Sequence, residues 1–215
     1  MTIELNEESH IYTVDGVEKP SVTQILDLLS YDTYGQIDKG TLEYAARRGS
    51  DIHEATQDLD LGLPCEVDGE TYPYLSAYCD FTRDYYGISH HMIEQPIYDE
   101  EYDYCGTVDR LSKVGSQLWL IDIKTVGSPN RLTYIKLCLQ TWMYAHALQT
   151  DCRRYGLFLK KDGSYRLFDC KEWETKNGIV PKEIVPQLVD AYKLIQTLKT
   201  KKVKGEKNGR TSVAD

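Results

Sequence analysis

Leu118-Trp119-Leu120-Ile121-Asp122-Ile123-Lys124-Thr125 is an apolar, β-branched run with two charges set inside it. Its length and composition read as a buried strand. A charge in such a strand is costly unless something pairs with it. The preceding run, Cys105-Gly106-Thr107-Val108-Asp109-Arg110-Leu111, brings a second acid. Between the two runs, Gly115-Ser116 fits a two-residue hairpin loop with glycine first, as a type II′ turn requires. Pairing outward from that loop places Asp109 opposite Asp122, Leu111 opposite Leu120 and Thr107 opposite Lys124. Strand periodicity puts Asp122 and Lys124 on one face and Ile121 and Ile123 on the other. Like charges directly across strands repel. A divalent cation between them reverses that sign, and magnesium suits a few carboxylates plus water and phosphate oxygens. The plainer alternative is a strand-end salt bridge with Lys124 or Arg110.

Glu94 is a further candidate. A hairpin centred on Glu101-Tyr102 would set Glu94 beside Asp109. Lys124 on the same face as Asp122 can orient a water or stabilise charge growing on a phosphoryl group.

Around these runs the chain reads as an α/β layout with a mixed central sheet flanked by helices. His10 to Lys19 is a hairpin turning at Asp15-Gly16. Ser21 caps a helix through Leu29. Helices follow at about Lys39 to Asp60 and Tyr74 to Tyr86, then strands at Met92 to Tyr98, Tyr104 to Leu111 and Leu118 to Val126. A helix over Leu132 to Leu148 precedes strands at Tyr155 to Lys160 and Tyr165 to Cys170. A last helix covers Lys182 to Thr200. This suggests one domain over 1–200, with its core at about 39–170, and a basic flexible tail over 201–215.

The 215 residues suffice for one sizeable core. No apolar run reaches the length of a membrane span, and Met1-Thr2-Ile3-Glu4 is unlike a signal peptide, so a cytoplasmic protein with no membrane partner is expected. The six cysteines form no CxxC pair and no zinc spacing, and read as reduced thiols. Net charge is −9, yet from Lys193 onward seven basic residues stand against two acidic ones. An acidic body binds DNA only if local cations shape the field at the site.

Two helical segments carry further candidates. Gln140 and Tyr144 are four apart and share a helix face that must pack on the acid-bearing sheet. An amide and a hydroxyl there suit a phosphate or an activating water, or else a cap and a core tyrosine. Upstream, Arg47-Arg48-Gly49-Ser50-Asp51-Ile52-His53 lies within a helix. Arg47 and Arg48 suit DNA phosphates, or form a solvated face.

Together these residues resemble the RecB-type branch of the PD-(D/E)XK nuclease superfamily. Gly49 to His53 resembles its Gly-x-x-x-His block, and Gly106 to Asp109 its Gly-x-x-Asp block. Asp122-Ile123-Lys124 resembles the Asp/Glu-x-Lys block, and Gln140 to Tyr144 the Gln-x-x-x-Tyr block. His10-Ile11-Tyr12 and Pro20 to Leu26 resemble the start of phage-encoded members. The resemblance implies a restriction-endonuclease-like core and a stand-alone enzyme similar to phage recombination exonucleases and the mitochondrial genome maintenance exonuclease. It implies Mg²⁺ or Mn²⁺ held by Asp109, Asp122, the Ile123 carbonyl and His53, with Glu94 acting through metal or water. Lys124 would position the hydrolytic water. Gln140 and Tyr144 would orient Lys124 and the DNA, with Arg47, Arg48 and Thr125 also against the nucleic acid. The expected activity is exonuclease action on DNA ends in phage recombination, replication or repair, inside a bacterial host. A single-strand annealing or binding protein and further copies of the chain are the other partners it allows. An endonuclease of the same superfamily, or a catalytically silent nuclease-like binding module, remains the alternative. Some relatives carry four cysteines around an iron–sulfur cluster. Nothing after Cys170 is cysteine here, so no cluster is expected.

Overall fold

The structure is a computed structural model describing residues 1–6, 9–30, 39–65 and 67–208. Strands β1 (Ile3–Asn6), β2 (Ile11–Val14) and β3 (Val17–Lys19) form a small antiparallel sheet. Helix α1 (Val22–Leu26) follows, with a 3₁₀ turn over Asp27–Ser30. Ser21 caps it through a capping box with Gln24, satisfying donors at both positions. Helices α2 (Lys39–Leu61) and α3 (Tyr72–Asp84) precede the main sheet.

That sheet has five strands in chain order: β4 (Ser89–Asp99), β5 (Tyr104–Val114), β6 (Gln117–Lys124), β7 (Arg153–Leu159) and β8 (Tyr165–Asp169). Neighbours are antiparallel except β6 and β7, which are parallel. Helix α4 (Arg131–Ala147) supplies the crossover that a parallel pair requires. Helices α5 (Cys170–Asn177) and α6 (Pro181–Asn208) close the described chain. The expected α/β class with a mixed, helix-flanked sheet is therefore present.

Two cores sandwich the sheet, which is why Leu118 to Ile123 of β6 is apolar apart from Asp122. Leu120 faces α4, α1 and α6, among Leu139, Met143, Ile25 and Val185. Ile121 and Ile123 face α2 and α3, among Ile52, Tyr78 and Phe81. Two glycines let α4 lie close on the sheet. A Cβ at Gly106 of β5 would strike the Tyr144 ring, and one at Gly156 of β7 would strike Leu137. The small sheet is tied to β5 by the Cys105 N–H donating to the Pro20 carbonyl at 2.8 Å.

Boundaries differ from the sequence reading in several places. β1 and α5 had not been expected. Helix α6 continues past Thr200 to Asn208, so the backbone of 201–208 is helical; 209–215 of the expected tail lie outside the described residues. The core also reaches beyond 39–170, because Val22, Ile25 and Leu26 of α1 and Val185 and Val189 of α6 are buried in it. Among the described residues, no helix is long and apolar enough to cross a membrane.

Candidate metal centre

The β5–β6 hairpin turns at Gly115-Ser116, with Val114 paired to Gln117 and Leu111 to Leu120. Gly115 has φ +59, a conformation that favours glycine. The ladder stops at Arg110 and Ile121, one step short of Asp109 and Asp122. There the Asp109 carboxylate itself accepts the Ile123 N–H, at 2.6 Å. A side chain thus replaces the next backbone acceptor, and the strands part where the two acids sit.

On the other side of β5, Ile93 pairs with Arg110 and Gln95 with Val108, so Glu94 lies level with Asp109. Glu94 has φ +45, strained for a residue with a Cβ. Two contacts hold it: Arg110 Nη1 donates to its Oε1 at 2.9 Å, and His53 Nδ1 lies 2.9 Å from the same oxygen. His53 enters from α2, and its Nε2 lies 3.2 Å from the Ile123 carbonyl oxygen. His53, Glu94 and Asp109 each bring a ligand-type atom within 4.8 Å of one another, close enough to hold a metal ion.

Asp122, 1% exposed, is adjacent but outside that triad. Lys124 Nζ lies 2.6 Å from its Oδ2 as an ion pair, yet neither carboxylate oxygen has a hydrogen bond among the described residues. Lys124 is thus the one charged partner of a buried carboxylate that otherwise lacks donors among the described residues. The donor set, one imidazole and carboxylates with a carbonyl nearby, suits a magnesium- or manganese-type ion.

Electrostatics at the centre are strongly coupled. Burial pushes the His53 imidazole down, but the Asp109 and Glu94 carboxylates outweigh it and hold its pKa at about 9. Burial lifts the Asp122 carboxyl to about 6 against the pull of Lys124, and lifts Asp109 as well. The Lys124 ammonium is raised too: burial opposes its charge, and Asp122 and Asp109 override that.

Tyr144 sits under the acids, its ring on Gly106 and its hydroxyl accepting from Gln140 Nε2 at 2.9 Å. Burial first, then the Asp122 and Asp109 charges, raise its phenol and keep it protonated. Arg48 is otherwise occupied. It lies between the Tyr44 and Tyr74 rings and donates to the Thr125 carbonyl at 3.3 Å. That arginine braces the loop after Lys124 rather than reaching outward. Arg47 is exposed, 6.0 Å from the Tyr44 ring centroid.

Sequence reasoning missed what stands behind Glu94. Arg110 is 1% exposed. Its Nε donates to Asp60 Oδ2 at 2.6 Å, and Nη2 donates to Thr56 Oγ1 at 3.1 Å. Asp60 also accepts from Tyr78 Oη at 2.6 Å and lies 3.3 Å from His90 Nε2. Arginine inside a strand demanded buried acidic partners; that was the available signal, but not which acids answered it.

No protein family matches the chain, and no curated protein matches it well enough to count as a relative.

Proposed function

We propose that the chain is a metal-dependent nuclease hydrolysing phosphodiester bonds at DNA ends, built on a PD-(D/E)XK core of the RecB-exonuclease type. The observation that supports this best is the convergence of His53, Glu94 and Asp109 from α2, β4 and β5 beside a buried Asp122 paired to Lys124. His53, Glu94, Asp109 and Asp122 would hold the ion. A divalent ion there supplies a lowered water pKa and a counter-charge for the phosphoryl oxygens.

The chain's own groups do the rest. Lys124, 27% exposed, keeps an ammonium at the edge of the acids, where it can hold the attacking water and offset charge on phosphate. Gln140 and Tyr144 form a neutral donor pair on α4 that can position a phosphate oxygen or a sugar. With an acidic body, attraction for the DNA backbone rests on bound cations and on Lys124 and Arg47.

The test is incubation of the protein with 5′- and 3′-labelled linear DNA, single- and double-stranded, with Mg²⁺ or Mn²⁺. Shortening from an end that EDTA stops supports the reading. No cleavage of any DNA under either metal overturns it, and cutting of closed circles replaces the exonuclease with an endonuclease.

A further inference from the structure

A cavity of about 330 Å³ lies between the N-terminal hairpin, α1, β5 and α4. Its walls include Tyr12, Val22, Gly106 and Tyr144, and its rim His10, Thr23 and Gln24. Two of these, Gly106 and Tyr144, pack on each other, and Tyr144 feels the Asp122 and Asp109 charges, so the cavity lies on the acid-cluster side of α4. Tyr12 joins them from the other side. Its hydroxyl and the Thr107 hydroxyl lie 2.8 Å apart, two residues from Asp109. Burial chiefly raises the Tyr12 phenol, with the Asp109 and Glu94 charges adding to it, so the ring lies within their electrostatic reach.

The lining has a definite chemistry. It holds two tyrosines, an aliphatic side chain, hydroxyls and an amide, with His10 as its one ionisable side chain apart from the tyrosines. Gln24 uses Oε1 to accept the Ser21 N–H, and its Nε2 has no hydrogen bond among the described residues. Such walls do not attract phosphate, which needs cationic donors. They suit a flat ring with polar edges: aromatic surface for stacking, and neutral donors and acceptors for the periphery.

Resting on the nuclease reading, we propose that this cavity is the subsite for the sugar and base of the nucleotide next to the scissile phosphate. The phosphate would stay at the acid cluster while Tyr12, Thr23 and Gln24 hold the nucleoside. Tyr12 and Gln24 are then binding residues that set how far the strand end enters.

Thr23 is exposed on α1, so Thr23→Trp can fill the cavity without disturbing a core position. Thr175→Trp on exposed α5 serves as the control. For labelled DNA with Mn²⁺, Thr23→Trp should raise KM at least tenfold while Mn²⁺ affinity by calorimetry and Tm stay at the wild-type level. An unchanged KM with intact hydrolysis overturns the subsite and leaves the nuclease reading standing. Independently of hydrolysis, thymidine 5′-monophosphate titrated into metal-free wild type should shift the backbone amide resonances of Thr23 and Gln24, and Thr23→Trp should abolish the binding. Shifts without any DNA hydrolysis sink the nuclease reading but support the nucleoside site. No shifts at millimolar nucleotide overturn the site.

Discussion

The carboxylate of Asp109 accepts the backbone N–H of Ile123 at 2.6 Å, so a candidate metal ligand also terminates a sheet ladder. Asp109→Asn keeps one oxygen for that N–H while removing the charge and replacing the other oxygen with an NH₂ that cannot bind a cation. The expected result is a fold that holds and a Mn²⁺ affinity at least about tenfold weaker, the scale found when the shell of a metal site is altered. Calorimetry alongside thermal melts checks it. Unchanged binding removes Asp109 from the ligand set.

Lys124 separates chemistry from binding. Lys124→Met deletes the ammonium 2.6 Å from Asp122 while keeping the aliphatic stem. Hydrolysis should fall by about 100-fold or more, the loss typical of removing one electrostatic donor. Metal affinity should hold or rise, since Asp122 no longer shares its charge with a lysine. Parallel loss of both would make Lys124 a structural counter-ion.

The pH behaviour of the metal-free protein has a definite sign. His53 binds its proton more tightly folded, at about 9, than unfolded, near ~6.5. Asp122 does the same, at about 6 against ~4. Their contributions are complete below the unfolded values and vanish as pH rises through the folded ones. Tm should therefore fall between about pH 4 and 9, and His53→Gln should flatten the upper part of that fall. A metal held by His53 requires a deprotonated nitrogen, so Mn²⁺ binding near pH 7 should release protons. Calorimetry in two buffers of different ionisation heat measures this; no proton release would take His53 out of the ligand set.

Arg110 is a buried cation that holds two acids near the centre. Arg110→Met leaves Asp60 and Glu94 without their buried cation, at a cost of about 3–5 kcal/mol. Adding Asp60→Asn should recover part of that loss in denaturant unfolding. If the double variant is no better than the single one, the Asp60 pair is not where the cost arises.

The hairpin that carries the acids was readable because a two-residue Gly-Ser loop permits one register, and Leu111 opposite Leu120 follows from it. Glu94 was readable for the same reason, through the turn centre at Glu101-Tyr102. Contacts between distant segments were not. Nothing local to Asp60 or Thr56 says that they meet Arg110, or to His90 that it meets Asp60. Helix α5 was hidden because Asp169 closes β8 and caps the helix at once, accepting the Glu172 N–H at 2.9 Å. That capping also explains why Asp169-Cys170-Lys171 repeats the Asp-x-Lys spelling without being a site. Arg48 shows the limit of charge reading: a basic residue in the right block is spent on the Thr125 carbonyl and two rings.

Gly106 and Gly156 stand on the strands either side of β6, one beneath Tyr144 and the other beneath Leu137. Bare backbone at these two points makes a trough, and α4 settles into it. The Tyr144 ring, and with it the Gln140–Tyr144 pair, therefore rests directly on β5 main chain at Gly106. Two missing methyl groups thus set how closely α4 approaches the sheet, and an alanine at either would push against the Tyr144 ring or the Leu137 side chain.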